Sequence, residues 1–186
     1  NEEVNQGLSA EQALIEASRC LDCPDPQCMQ GCPVAVNIPG FIKNVERGEF
    51  LEAAAVLKNT SALPAVCGRV CPQEKQCESR CIYNKMKKPA VAIGYLERFA
   101  ADYERVEHSK HPVEVVRPES NGIRVAVVGS GPAGLSFAGD MVKRGYDVTV
   151  YEALHEIGGV LKYGIPEFRL PNSVVEAEID GLRALG

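Results

Sequence analysis

Two sets of four cysteines, Cys20-x2-Cys23-x4-Cys28-x3-Cys32-Pro33 and Cys67-x3-Cys71-Pro72-x4-Cys77-x3-Cys81, constrain this chain more than any other feature. A single cysteine is commonly just a small buried hydrophobe, but eight in two ordered sets require a covalent or metal-binding account. In a secreted chain they would read as a disulfide framework. The start Asn1-Glu2-Glu3-Val4-Asn5-Gln6, however, lacks the basic flank, apolar run and cleavage site of a secretory leader, and no stretch approaches the length of a membrane span. The expectation is a cytoplasmic protein with no membrane partner, whose reduced thiols are ligands.

Thiolates bind both zinc and iron, so the spacing has to discriminate. Structural zinc sites pair two Cys-x2-Cys or Cys/His knuckles, whereas one Cys-x2-Cys occurs here and neither His108 nor His111 stands at knuckle spacing. The first set instead follows the bacterial ferredoxin run Cys-x2-Cys-x2-Cys-x3-Cys-Pro with two residues inserted, and in that run the cysteine before proline ligates the other cluster. On that pattern Cys20, Cys23 and Cys28 share a cluster with a distant thiolate, and Cys32 belongs to a second cluster. Cys67, in the mixed stretch Leu63-Pro64-Ala65-Val66, is also open to a plain packing role. The competing reading is a zinc-stabilised helical interaction module fused to a nucleotide-binding remnant.

Further along, the apolar run 123–128 leads into Gly129-Ser130-Gly131-Pro132-Ala133-Gly134 and then into a helical pattern. A glycine triplet at this spacing is weak by itself, but between a strand and a helix it forms a dinucleotide loop. Gly129 permits the tight turn, Gly131 lets the backbone approach pyrophosphate, and the helix N-terminus favours the phosphates. Glu152 ends the next predicted strand, 148–151, where a carboxylate accepts hydrogen bonds from ribose. These residues leave FAD and NAD undistinguished. Gly158-Gly159 and the segment Tyr163 to Pro171 add another loop, in which Arg169 is either a solvated charge or a partner for diphosphate or ring.

The remaining pattern organises these sites. Ser9-Ala10-Glu11-Gln12 is a capping box opening a helix that reaches about Ser18, and the proline- and glycine-rich first cysteine set reads as loop. Helices are predicted over 39–47, 49–58 and 90–107, the last with Ile93, Leu96, Phe99, Ala100, Tyr103 and Val106 on one apolar stripe and Glu97 at its border. Residues 108–121 read as an extended linker, so the expected division is a helical domain with linker over 1–121 and a nucleotide-binding portion over 122–186. A last helix is predicted over 173–185. Two parallel strands cannot complete a dinucleotide crevice, which implies a fragment of a longer enzyme. A net charge of −5 with signs interspersed supplies no field for nucleic acid, so no nucleic acid partner is expected.

The motifs CLDCPDPQCMQGCP (20–33), CGRVCPQEKQCESRC (67–81), IGYLERF (93–99), VVGSGPAGLSFA (127–138) and GGVLKYGIPEFRLP (158–171) cover nearly the whole chain in order. With them the chain resembles the small subunit of NADPH-dependent glutamate synthase and its relatives. Those include the N-terminal half of dihydropyrimidine dehydrogenase and the large subunit of NADH-dependent ferredoxin:NADP oxidoreductase. The resemblance implies an all-α iron–sulfur domain with two 4Fe-4S clusters, followed by the start of a Rossmann-like α/β FAD-binding domain, truncated here. It implies that electrons pass between FAD and the clusters and on to an electron-accepting subunit, a glutamate synthase large subunit or a ferredoxin-type partner. NADP(H) would act through a domain absent from this chain, which has no second glycine fingerprint. Carried over residue by residue, the family pattern puts Cys20, Cys23, Cys28 and Cys81 on one cluster. Cys32, Cys71, Cys77 and Glu97 fall on the other, Glu97 standing where a relative has glutamine. The count of eight thiolates for two clusters argues for Cys67 in place of Glu97. For FAD the pattern falls on Gly129, Ser130, Gly131, Pro132, Ala133, Glu152, Gly158, Gly159, Val160 and Arg169.

Overall fold

Helix α1 (Ala10–Ser18) begins at the capping box: the Ser9 hydroxyl accepts from the Gln12 amide at 3.2 Å and the Gln12 side chain accepts from the Ser9 amide at 2.9 Å. The computed structural model describes residues 3–186. Its chain divides into two compact units, one of Gln6–Lys110 and one of His111–Gly186 together with the segment ending at Asn5.

The first unit is helical throughout. After α1 come α2 (Gln27–Gln30), α3 (Ile38–Glu46), α4 (Phe50–Lys58), α5 (Pro64–Val70), α6 (Ile82–Lys85) and α7 (Ile93–Lys110), with single 3₁₀ turns at Gln73–Lys75 and Glu78–Arg80. Gly48, at a φ of +76°, supplies the left-handed residue that separates α3 from α4. The core is a continuous cluster in which Phe41, Ile42, Val45, Leu57, Leu96 and Ala100 are buried. Phe50 stands edge-on to Phe99 and Tyr103 at 4.9 Å in each case. The half-buried Cys20, Cys28, Cys32 and Cys81 pack against this same core, so the cysteine loops are pinned to it.

Helix α7 is the axis of the unit, and its N-terminus is capped from a distance. The Ala92 amide donates to Glu16 of α1 at 2.8 Å and the Gly94 amide to Glu78 at 3.1 Å, which satisfies donors that a helix start leaves orphaned. Three expectations need correction. The first cysteine set is not wholly loop, because Gln27–Gln30 closes one helical turn. Helix α5 went unread, its Pro64 sitting at the start of the helix where a missing amide costs nothing. Val106 is 42% exposed, since α7 runs past the core it packs on and its stripe has nothing to cover there.

The second unit pairs β1 (Arg124–Val128) and β2 (Asp147–Tyr151) in parallel, in register from Arg124 opposite Asp147 to Val128 opposite Tyr151. Helix α8 (Pro132–Lys143) makes the crossover, and α9 (Val160–Tyr163) and α10 (Asn172–Leu185) follow. Strand β1, whose apolar run 123–128 reads by itself as a buried parallel strand, is covered on one side only: Val127 is buried while Val128 is 90% exposed. An apolar run signals burial in a full sheet, and the described sheet has two strands.

Candidate functional site

Both cysteine sets contribute to one cavity in the helical unit. Cys20, Cys23 and Cys28 of the first set and Cys81 of the second line it, with Ile38, Ile42, Val91 and Ile93 forming the apolar wall. Its volume of about 80 Å³ is several times the roughly 10–15 Å³ that one water-sized occupant needs. Burial pushes the Cys28 thiol up to about 11, and the Cys20 and Cys81 charges add to the effect. Burial also raises Cys20, against the opposing pull of the Asp22 amide and the Lys43 ammonium. Lys43 is fixed there because its ammonium donates to the Cys20 carbonyl at 2.8 Å and pairs with Glu46 at 2.6 Å. These thiols are costly to ionise until a cation arrives, and clustered iron supplies that positive charge.

A second group involves Cys32, Cys71, Cys77 and Glu97. Burial pushes the Cys77 thiol up to about 12, with the charges of Glu78, Glu97 and Cys32 adding to it. Cys71 is shifted the other way, lowered first by a hydrogen bond with Cys67 and opposed by burial and by the charges of Glu97, Cys32 and Cys77. Cys71 and Cys77 thus each feel the charges of Cys32 and Glu97, and Cys67 reaches the group through its hydrogen bond with Cys71. The Glu97 side chain belongs to a residue that is only 9% exposed, so a carboxylate is held in the protein interior. Ionising these thiols beside the Glu97 carboxylate adds like charge, which a cationic centre would offset. The donor chemistry of both groups fits iron–sulfur clusters.

Backbone contact between the elements brings these groups together. A Cβ at Gly31 would stand 2.7 Å from the Gln76 carbonyl, which places the first cysteine loop directly on the second. A Cβ at Gly68 would stand 2.6 Å from the Arg98 amide nitrogen, so α5 and α7 touch backbone to backbone beside Cys67 and Glu97. Gln73 fills the space over Gly94 and donates to the Cys67 carbonyl at 2.9 Å. Sequence reasoning missed Lys43, Gln73 and Glu78, since nothing in their local pattern marks them; their roles come from chain segments far away. All eight cysteines are free thiols, with no disulfide among them. Among the described residues no three His, Cys, Asp or Glu side chains converge tightly enough for a single metal ion.

In the second unit the glycine loop follows β1 as expected. Gly129 has a φ of +93°, its amide donates to the Tyr151 carbonyl at 2.7 Å, and a Cβ at Gly134 would meet the Gly129 carbonyl at 2.0 Å. A Cβ at Gly131 would meet nothing within 4 Å, leaving the loop open to a phosphate there, with Pro132 and Ala133 starting α8. Ser130 is fully buried. Its hydroxyl donates to Glu152 and accepts from the Gly158 amide at 3.1 Å, while its own amide donates to the Glu152 carboxylate at 2.9 Å. The bond from the Ser130 hydroxyl, followed by the Leu154 and Ser130 amides, lowers the Glu152 carboxyl to about 2. Gly159, at a φ of +54°, presses on the same loop, where a Cβ would be 2.8 Å from the Gly131 Cα. Val160 and Arg169 are exposed. Among the described residues no hydrogen bond or ion pair joins the Arg169 side chain to the loop.

Residues 1–109 match the family model described as dihydropyrimidine dehydrogenase domain II, 4Fe-4S cluster, which covers more than half of the chain. The chain belongs to that family. Residues 127–176 match an NAD(P)-binding Rossmann-like domain. The NAD-dependent dihydropyrimidine dehydrogenase subunit PreT of Escherichia coli K12 is 40% identical over 186 residues, which is all of this chain and 44% of that relative. The small chain of glutamate synthase [NADPH] of Azospirillum brasilense is 38% identical over 184 residues, 99% of this chain and 38% of its own length. The corresponding small chain of E. coli K12 is 39% identical over 173 residues, 93% of this chain and 36% of that one. The chain thus spans less than half the length of these curated relatives. The chain is an iron–sulfur domain followed by a Rossmann-like segment, rich in helix with a small parallel sheet. No helix among the described residues is long and apolar enough to cross a membrane.

Proposed function

We propose that this chain is the electron-transfer region of an NAD(P)H-dependent iron–sulfur flavoprotein oxidoreductase of the glutamate synthase small-subunit type. On this reading one 4Fe-4S cluster is held by Cys20, Cys23, Cys28 and Cys81, and a second by Cys32, Cys71, Cys77 and Glu97. FAD is held by the loop Gly129–Ala133, with Glu152 on the ribose and Gly158, Gly159, Val160 and Arg169 closing over the diphosphate and ring. The cofactors supply one- and two-electron chemistry, and the chain's residues set their position, solvation and charge. Electrons leave to an accepting protein subunit.

One observation carries this reading: a single cavity is walled by three thiols of the first cysteine set and the last thiol of the second. Such an interleaving is what a shared ligand set demands, and two independent zinc knuckles would instead each use neighbouring cysteines. The test is metal and sulfide analysis of anaerobically prepared protein. About eight irons with matching acid-labile sulfide per chain are expected. Stoichiometric zinc without labile sulfide after reconstitution would sink the reading and favour a zinc-stabilised interaction module.

A further inference from the structure

We propose that the basic turn after Cys81 is the docking face for an acidic electron-carrier protein. This rests on the proposed function and names the partner chemistry of its first cluster. Residues 84–89 are exposed without interruption, and Lys85, Lys87 and Lys88 lie among them, with Arg80 exposed on the other flank of Cys81. Met86, 49% exposed, sits at the centre of the lysines. In a chain of net charge −5 this is a local reversal of sign.

The turn is fixed in place. The Met86 and Lys88 amides both donate to the Tyr83 carbonyl at 3.0 Å, the Lys87 amide donates to Asn84 at 3.1 Å, and Lys87 is held at a φ of +55°, which only a defined turn makes tolerable for a lysine. The Tyr83 hydroxyl donates to the Arg19 carbonyl at 2.8 Å, and the Arg19 guanidinium donates to the Pro89 and Ala90 carbonyls at 2.5 and 3.3 Å. The lysines therefore project from an anchored platform.

Several other basic side chains of this unit pair with carboxylates, as in Lys43 with Glu46, Lys58 with Glu104 and Arg69 with Asp102. Among the described residues none is found for Arg80, Lys85, Lys87 or Lys88. The one carboxylate lining that cavity is Asp25 of the first loop, and it accepts from the Gln27 side-chain amide at 2.6 Å. Arg80 and Tyr83 line the same cavity as Cys20, Cys23, Cys28 and Cys81. The patch is therefore continuous along the chain with the cavity wall, beginning at Arg80 and running on past Tyr83 to the lysines. Unpaired exposed cations steer an acidic partner to that point and orient it, in a manner that salt screens. The transfer served is of one electron, oxidising the cluster and reducing the carrier, with no bond made or broken.

The test uses the full-length, anaerobically reconstituted protein and an oxidised acidic plant-type ferredoxin as probe, with affinity measured at low and at physiological salt. The unaltered protein should bind the probe at low salt and lose about tenfold or more in affinity on raising it. K85E/K87E/K88E should bind about tenfold more weakly at low salt and show little further salt dependence, while K85R/K87R/K88R should bind like the unaltered protein. Affinity of the reversed variant within twofold of the original, absence of ferredoxin binding at low salt, or a double-stranded oligonucleotide bound as tightly through the same lysines would each overturn the proposal. Iron content read on the same samples separates the two levels. Intact clusters with an unaffected reversed variant defeat the docking face alone, whereas protein that takes up no clusters defeats the proposed function as well.

Discussion

Gly68 of α5 and Arg98 of α7 meet backbone to backbone, at a separation that leaves 2.6 Å between a Cβ at Gly68 and the Arg98 amide nitrogen. The contact sets the distance between the helix that bears Cys67 and the helix that bears Glu97. Gly68→Ala should force the helices apart and destabilise the helical unit by about 1–3 kcal/mol, the usual cost of overpacking against backbone. Denaturant unfolding checks the energy. The iron spectrum should show the second cluster lost before the first, and equal retention of both would contradict this role for the contact.

In the proposed ligand sets Glu97 and Cys67 are the two candidates for the last position on the second cluster. Glu97→Ala should alter the spectrum or the reduction potential of one cluster only, because it removes the anion that neighbours Cys71 and Cys77. Cys67→Ala should leave both clusters in place. Electron paramagnetic resonance of the reduced variants separates the cases, and loss of a cluster in Cys67→Ala alone would reverse the assignment.

Glu152 should titrate far below an ordinary carboxylate. Its folded pKa of about 2 lies below the reference value of 4.5. The stabilisation from its bonds to Ser130 and Leu154 is therefore complete above the reference value and is lost as pH falls through the folded value. Carbon NMR of the labelled side chain reads this directly. A midpoint of 4 or higher would show that the bonds to the loop are not kept in solution.

Ser130→Ala removes the hydroxyl that joins Glu152 to the loop after β2. The buried Gly158 amide then loses its acceptor, which costs about 1–3 kcal/mol. Flavin affinity of the full-length protein should fall with it, measured by fluorescence titration. Unchanged affinity and unchanged unfolding would mean that the loop does not depend on this hydroxyl.

Gly134→Ala should do more damage than either. A Cβ there would lie 2.0 Å from the Gly129 carbonyl, inside any tolerated contact, so β1 and α8 would have to separate. The expected result is loss of dinucleotide binding and a Rossmann unit that unfolds at lower denaturant, while iron content stays normal.

Whatever depends on near neighbours was legible along the chain. The Ser9 and Gln12 capping box, the break at Gly48, and the strand, glycine loop and helix from β1 through α8 are all local chemistry, and each stands where the residue pattern puts it. Glu97 could be placed at the border of the α7 stripe for the same reason. How distant segments combine came from the packing of the folded chain. It brought Cys81 into the cavity of Cys20, Cys23 and Cys28, and set Cys32 beside Cys71 and Cys77. It drew the carboxylates of Glu16 and Glu78 onto the start of α7, and it turned Ser130 into the joint between Glu152 and Gly158. These pairings are not legible along the chain because side-chain donors and anions carry no periodicity that names a remote partner. Core packing and backbone contacts such as Gly31 on Gln76 fix which loops meet, and only then does the chemistry of each thiol and carboxylate find its neighbours.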